Sequence, residues 1–208
     1  MYPQTLYPKT KQVLDKLKNL KIPGDWYLAG GTALALQLGH RKSIDLDLFT
    51  DNFPKRDILV SALKHLSPTI IQEAQGTLDT NIDSVKLSFL EYKYPMIEEF
   101  ADFDGFKLAS IIDIACMKIT AISSRGSKKD FFDIYFILKS YPLGKIMDVF
   151  PKKYQGVNYQ ISHILKSLSY FEDAEKDPDP DMTNDTSWQQ IKTAIEKEVE
   201  NFYKSIIS

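Results

Sequence analysis

Residues 30–49, GGTALALQLGHRKSIDLDLF, join a glycine pair, one helix-length of apolar sequence and an alternating run that carries two aspartates. Side chains on a strand point to opposite faces with period two, so the alternation fixes which residues share a side. Ile44, Leu46 and Leu48 fall on one face, and Asp45, Asp47 and Phe49 on the other. Two carboxylates at i and i+2 then project from one face about 6 to 7 Å apart along the chain. WYLA before Gly30 has the short apolar character of a buried strand, and TALALQL reads as a helix closed by Gly39. The stretch is therefore strand, glycine turn, helix, strand.

The rest of the chain divides by character. Val13, Leu14, Leu17 and Leu20 recur at helical spacing and predict a first helix over residues 8–20; Pro54 opens another through Leu66. Residues 69–97 hold short β-type runs, TIIQEA, SVKLSFL and YKYPMI. From Ser110 the pattern turns helical: Ser110 with Asp113 makes a capping box, and the helix runs to a stop at Gly126. KDFFDIYFILKS follows as a second helix, with two further segments around 143–170. EDAEKDPDPDMTNDTS is acidic and almost free of apolar residues, which predicts an exposed loop, and a C-terminal helix starts near Ser187. Mixed strands and helices followed by helices alone predict an α/β (α+β) core over residues 1–105 and a helical region over 106–208.

Composition excludes some classes. At 208 residues with 43% hydrophobic content the chain can bury a sizeable core. Lys and Arg total 26 against 28 Asp and Glu, so no overall basic field recruits nucleic acid, and Lys128, Lys129, Lys152 and Lys153 offer at most a local basic patch or a solvated face. The lone Cys116, in the apolar run IIDIACM, excludes an internal disulfide and reads as a small buried hydrophobe. No run approaches the roughly 18 apolar residues of a membrane span and the N-terminus lacks a signal-type apolar core, so a cytoplasmic protein with no membrane partner is expected.

The opening stretch admits specific chemistry. A Gly-Gly-Thr turn entering a helix leaves backbone N–H groups able to meet phosphate oxygens, although glycine pairs also occur there for tight packing alone. Asp45 and Asp47 have the spacing of two oxygen ligands sharing Mg²⁺ with a substrate phosphate; the bland alternative leaves them facing water on an edge strand. Arg41 could meet a phosphate bidentately, and Ser43 could hold a phosphate oxygen or the strand entrance. His40 has the place of a helix C-terminal cation. Lys118 lies on the apolar stripe of its helix, either snorkelling or pointing into a cleft. Asp130 and Asp133 share a helix face and need a cation between them. Phe131, Phe132, Tyr135 and Phe136 suit a core better than a base-stacking platform.

LAGGTALALQLGHRKSIDLDLF, with Gly-Gly-Thr, His-Arg-x-Ser and Asp-x-Asp-Leu-Phe in that order, resembles the AbiEii/AbiGii toxin family of the DNA polymerase beta-type nucleotidyltransferase superfamily. The downstream stretch DIACMKITAISSRGSKKDFFDIYFIL resembles the same family at Lys118, Arg125, Asp130, Asp133 and Tyr135, so the matches span roughly residues 26–140. The resemblance implies a nucleotidyltransferase-type mixed sheet with flanking helices, and a helical half that completes the active-site cleft. It implies NTP as substrate and Mg²⁺ as cofactor, with Gly30, Gly31, Thr32, Arg41, Ser43 and Lys118 binding the nucleotide. Asp45 and Asp47 would be metal ligands, and Asp45, Asp47, Lys118 and Asp130 the catalytic set, Asp130 being favoured over Asp133. The implied acceptor is RNA, such as a tRNA end, and the setting a bacterial toxin-antitoxin or phage-defence pair with a cognate antitoxin.

Two departures stand against the full pattern. The strand SVKLSFLEY offers Lys86 and Ser88 at its alternating positions where the superfamily brings a third carboxylate, with Asp83 and Glu91 only near its ends. Thr32 also replaces the usual serine, a mild change because the hydroxyl is kept. Hence two alternatives stay open: a nucleotide-binding regulatory protein without turnover, and a nucleotidyltransferase acting on a small molecule or a protein hydroxyl.

Overall fold

The computed structural model describes residues 1–207. They form a mixed α/β fold in two compact units, one of residues 1–95 with 99–109, the other of residues 96–98 with the described residues from 110 onward.

The first unit is built on a seven-stranded sheet. Its strands are β1 (Tyr27–Ala29), β2 (Leu46–Thr50), β3 (Thr69–Ala74), β4 (Thr77–Ile82), β5 (Val85–Glu91), β6 (Ala101–Phe103) and β7 (Phe106–Leu108), in the order β3-β4-β5-β2-β1-β7-β6. β2 runs antiparallel to β1 and parallel to β5, and β1 runs parallel to β7. The outer strands are hairpins with two-residue connections: Gln75-Gly76, Asp83-Ser84 and Asp104-Gly105. Asp83, Ser84, Asp104 and Gly105 all have positive φ, the backbone that a type I′ turn demands and that matches strand twist. One face of the sheet is apolar and closed: Leu28, Leu46, Leu48, Leu78, Leu87 and Phe89 are all at most 2% exposed. Helices α1 (Pro8–Lys18), α2 (Gly30–Leu38) and α3 (Arg56–Leu63) belong to this unit. Pro8 starts α1, where a missing N–H costs nothing, and Val13, Leu14 and Leu17 form its buried stripe.

Three expectations change here. YKYPMI forms no strand: the Tyr92 N–H still donates to Thr50 O, but the chain then leaves the sheet at Pro95, which has no donor for a ladder. TLDTNI, which falls among the polar turns between the β-type runs, is a strand, and Ala101–Phe103 with Phe106–Leu108 adds a hairpin that the sequence reading did not assign. α3 begins at Arg56 with Lys55 as its N-cap, so Pro54 precedes the helix and does not open it, and its last turn is a 3-10 turn, Lys64–Leu66.

The second unit is helical: α4 (Ile111–Arg125), α5 (Lys128–Leu138), α6 (Leu143–Lys153), α7 (Ile161–Leu168) and α8 (Trp188–Ile207). The Asp113 N–H donates to Ser110 Oγ at the start of α4, and Gly126 ends that helix with φ +58°. Phe131 and Phe132 are buried, and Trp188 stacks on Phe132 with ring centroids 5.8 Å apart, so these aromatics are core. Cys116 is fully buried, and desolvation pushes its thiol up to about 12. The acidic segment is mostly exposed yet anchored: Asp177 Oδ2 accepts from Ser127 Oγ at 2.9 Å and from the Lys128 N–H at 3.0 Å, capping α5 from fifty residues away. Those bonds, the backbone donor foremost, hold the Asp177 carboxyl below the usual carboxylate range. Lys128 and Lys153 are buried, paired with Asp179 at 3.2 Å and Asp113 at 2.7 Å; of the four lysines read as a basic patch or solvated face, only Lys129 and Lys152 are exposed.

Candidate active site

Gly30, Thr32, Ser43 and Asp47 meet around the point where β1 passes into α2. Ala29 is opposite Asp47 in the β1–β2 ladder, and the next residue, Gly30, has φ +68°. A Cβ placed on Gly30 would lie 2.9 Å from Asp47 Oδ2, so the carboxylate rests against the glycine backbone. Gly30, Gly31 and Thr32 are the first three residues of α2, whose N–H groups have no partner within the helix and sit at its positive end. A left-handed glycine and a close carboxylate thus meet at one helix terminus. Gly30→Ala is expected to cost about 1 to 2 kcal/mol of stability in thermal unfolding, because alanine pays for positive φ and its methyl displaces Asp47.

Thr32 is 1% exposed, and its hydroxyl contacts Ser43 Oγ at 2.7 Å and the Asp45 carbonyl. The hydroxyl therefore ties the first turn of α2 to the strand entrance through Ser43. Ser43 also donates its N–H to Thr5 O, and Thr10 Oγ1 donates to Ile44 O. Because residues 43–44 bond to the N-terminal segment, β2 starts only at Leu46; Ile44 is 50% exposed and does not join the inward face predicted for it. Asp45 and Asp47 are both half-buried. Arg41 is 5% exposed and its Nη1 donates to the Lys42 carbonyl at 3.0 Å, while His40 is buried just past the end of α2.

The sheet adds residues that the sequence did not single out. Asp47 is opposite Ser88 on β5, and Ser88 is opposite Asp79 on β4, so the three share a lateral row on the polar face. Asp79 escaped notice because TLDTNI was not recognised as a strand; its alternation between two turn pairs was the available signal. Two strand spacings, about 9 to 10 Å, separate Asp79 from Asp47. Lys86 lies on the same face as Ser88 and binds Asp79 Oδ2 at 2.9 Å. That hydrogen bond comes first, with the charges of Asp79, Asp47 and Asp45, in holding the Lys86 ammonium above its usual range against partial burial.

Among the described residues no group of three His, Cys, Asp or Glu side chains could hold a metal ion. Asp45 and Asp47, two hard carboxylates two positions apart with Asp47 packed against the start of α2, nevertheless fit Mg²⁺, which takes one or two protein carboxylates and completes its shell with phosphate and water.

In the helical unit Lys118 is 5% exposed, its ammonium 2.7 Å from Asp130 Oδ1 and 2.5 Å from Asp133 Oδ2, both aspartates being fully buried. Arg125 Nε donates to Asp130 Oδ2 at 3.0 Å. The cation required between the two aspartates is Lys118 itself.

Residues 12–204 match the family described as nucleotidyl transferase AbiEii toxin, type IV TA system. An uncharacterized protein of Aquifex aeolicus is 34% identical over 209 residues, covering 96% of this chain and 98% of its own length. Among solved structures, JHP933 from Helicobacter pylori is similar with a TM-score of 0.54 at 15% identity, over 99% of this chain and 94% of that one. The nucleotidyltransferase toxin MenT4 of Mycobacterium tuberculosis is similar with a TM-score of 0.52 at 13% identity, over 88% and 77%. These two structures share the fold; the family match across nearly the whole length carries the assignment, and the chain belongs to the AbiEii family of nucleotidyltransferase toxins.

Proposed function

We propose that the protein transfers a nucleoside monophosphate from an NTP to an acceptor hydroxyl with Mg²⁺, and that the acceptor is RNA, with tRNA as the first candidate. The observation that supports this reading is the packing of Asp47 against Gly30, where a Cβ would lie 2.9 Å from Asp47 Oδ2; the metal-binding role of that carboxylate and the phosphate-binding role of that turn are what the family resemblance implies. The N–H groups of Gly30, Gly31 and Thr32 receive phosphate oxygens. Asp45 and Asp47 hold the cation, and the Thr32–Ser43 contact fixes the strand entrance that carries them. Bound there, Mg²⁺ supplies charge neutralisation along the triphosphate and on the leaving pyrophosphate. In the overall exchange the acceptor oxygen bonds to the α-phosphorus, the bridging α–β bond breaks, pyrophosphate leaves with that electron pair, and the hydroxyl proton passes to solvent or a carboxylate. Lys118 and Asp130 keep the roles that the family resemblance gives them, phosphate contact and acceptor activation, as assignments to test by substitution. The setting is a cytoplasmic toxin held in check by an antitoxin protein; no helix among the described residues is long and apolar enough to cross a membrane.

The test is incubation with each α-labelled NTP, Mg²⁺ and total RNA, with the Asp45→Ala protein and a chelator as blanks. Label on RNA that disappears in both blanks is the expected result. Label on protein or on a small molecule replaces the acceptor, NTP binding without transfer supports a regulatory protein, and undiminished transfer by Asp45→Ala refutes the site.

A further inference from the structure

The Asp79–Lys86 pair is a charged feature of the sheet that nucleotidyl transfer does not itself require. Its placement is specific. The β2–β5–β4 register sets Asp47, Ser88 and Asp79 in one row, and Lys86, two residues before Ser88, projects from the same face. Asp79 has only 12% of its side chain exposed and Lys86 43%, so the salt bridge is partly desolvated. The parallel β2–β5 register pairs Leu46 with Leu87 and Asp47 with Ser88, so Lys86, one residue before Leu87, comes beside the strand entrance that carries Asp45 and diagonal to Asp47, and these charges add to the hydrogen bond and charge of Asp79 in raising its pKa. One lysine therefore answers to three carboxylates, two of which are the proposed metal ligands.

We propose that Lys86 is a built-in counter-cation for the Asp45–Asp47 pair, that Asp79 is the tether fixing its distance, and that together they set how tightly the acid pair holds a divalent cation. This rests on the metal-binding reading above. In the metal-free protein the ammonium offsets the repulsion of two carboxylates on neighbouring strand positions; when a cation arrives, the same ammonium opposes it. Asp79 draws the ammonium toward β4, away from β2 and its acid pair. The lysine that stands where a third carboxylate was sought is then a positioning residue and not a gap in the site.

Opposite signs make this testable. In calorimetric titration of the nucleotide-free protein with Mn²⁺ at low salt, Lys86→Met tightens binding by about two- to fivefold, the scale of one partly exposed charge. Asp79→Asn weakens binding, because the ammonium loses its tether and a favourable negative charge is removed. Added salt shrinks both changes. An unchanged or weakened Mn²⁺ affinity in Lys86→Met overturns the proposal, as does a tightened one in Asp79→Asn. A metal-free readout separates this proposal from the functional reading. Lys86→Met lowers the melting temperature of the wild-type protein by more than it lowers that of Asp45→Asn/Asp47→Asn, and an equal loss in both backgrounds overturns the counter-cation role. Wild-type protein that binds no Mn²⁺ sinks the metal reading, and the metal-free comparison then still decides whether Lys86 balances the acid pair.

Discussion

Asp47→Asn is expected to lower nucleotidyl transfer by about a thousandfold or more while leaving the melting temperature within a few degrees of wild type. The size follows from the role: a carboxylate that holds the metal contributes several kcal/mol to transition-state charge stabilisation, and each 1.36 kcal/mol is a factor of ten. The small structural effect follows from position. Asp47 is half-buried on the polar face of β2, and asparagine keeps its shape against Gly30. The control is Leu48→Ala one residue later, on the closed apolar face, where lost packing costs about 2 to 5 kcal/mol and the damage is to folding. Initial rates with saturating NTP, together with thermal unfolding of both variants, separate chemistry from stability. An Asp47→Asn enzyme within threefold of wild-type rate rules out the metal role of that residue.

The second large effect is expected at Lys118. Methionine there leaves Asp130 and Asp133 buried side by side without the ammonium that they share, and Arg125, which pairs with Asp130, has a side chain that is itself 59% exposed. Breaking a buried pair by removing one partner costs about 3 to 5 kcal/mol, far above the value of the exposed Lys16–Asp83 pair. Urea unfolding of Lys118→Met should show that loss, and a Lys118→Met/Asp130→Asn/Asp133→Asn protein should recover most of it, since no uncompensated buried charge then remains. The same denaturation curves weigh the two roles open to this lysine. A Lys118→Met protein as stable as wild type but with weakened NTP binding is a phosphate contact; one that loses stability in the amount expected is a structural cation of the helical unit.

What could be read from sequence was whatever local chemistry enforces. The Gly30–Asp47 juxtaposition follows from one turn, one helix and one alternating strand within twenty residues, and the Ser110 cap and Gly126 stop frame α4 by backbone requirements alone. Pairing across distance was not readable. Asp79 joins the row of Asp47 only through β5, and nothing near residue 79 announces that register. Lys128 and Lys153 look like solvated charges until Asp179 and Asp113, fifty-one and forty residues away, supply the partners that allow burial. YKYPMI looked like a strand by composition, but a strand also needs a neighbour to accept its donors, and Pro95 ends that possibility.

The most direct measurement is calorimetric binding of a non-hydrolysable NTP analogue, with Mg²⁺ and with chelator, to wild-type protein and to Asp45→Asn/Asp47→Asn. Wild type should bind the analogue tightly only when the divalent ion is present, and the double variant should lose that dependence. Equal affinity and equal Mg²⁺ dependence in the two proteins would contradict cation capture by this acid pair at the glycine turn.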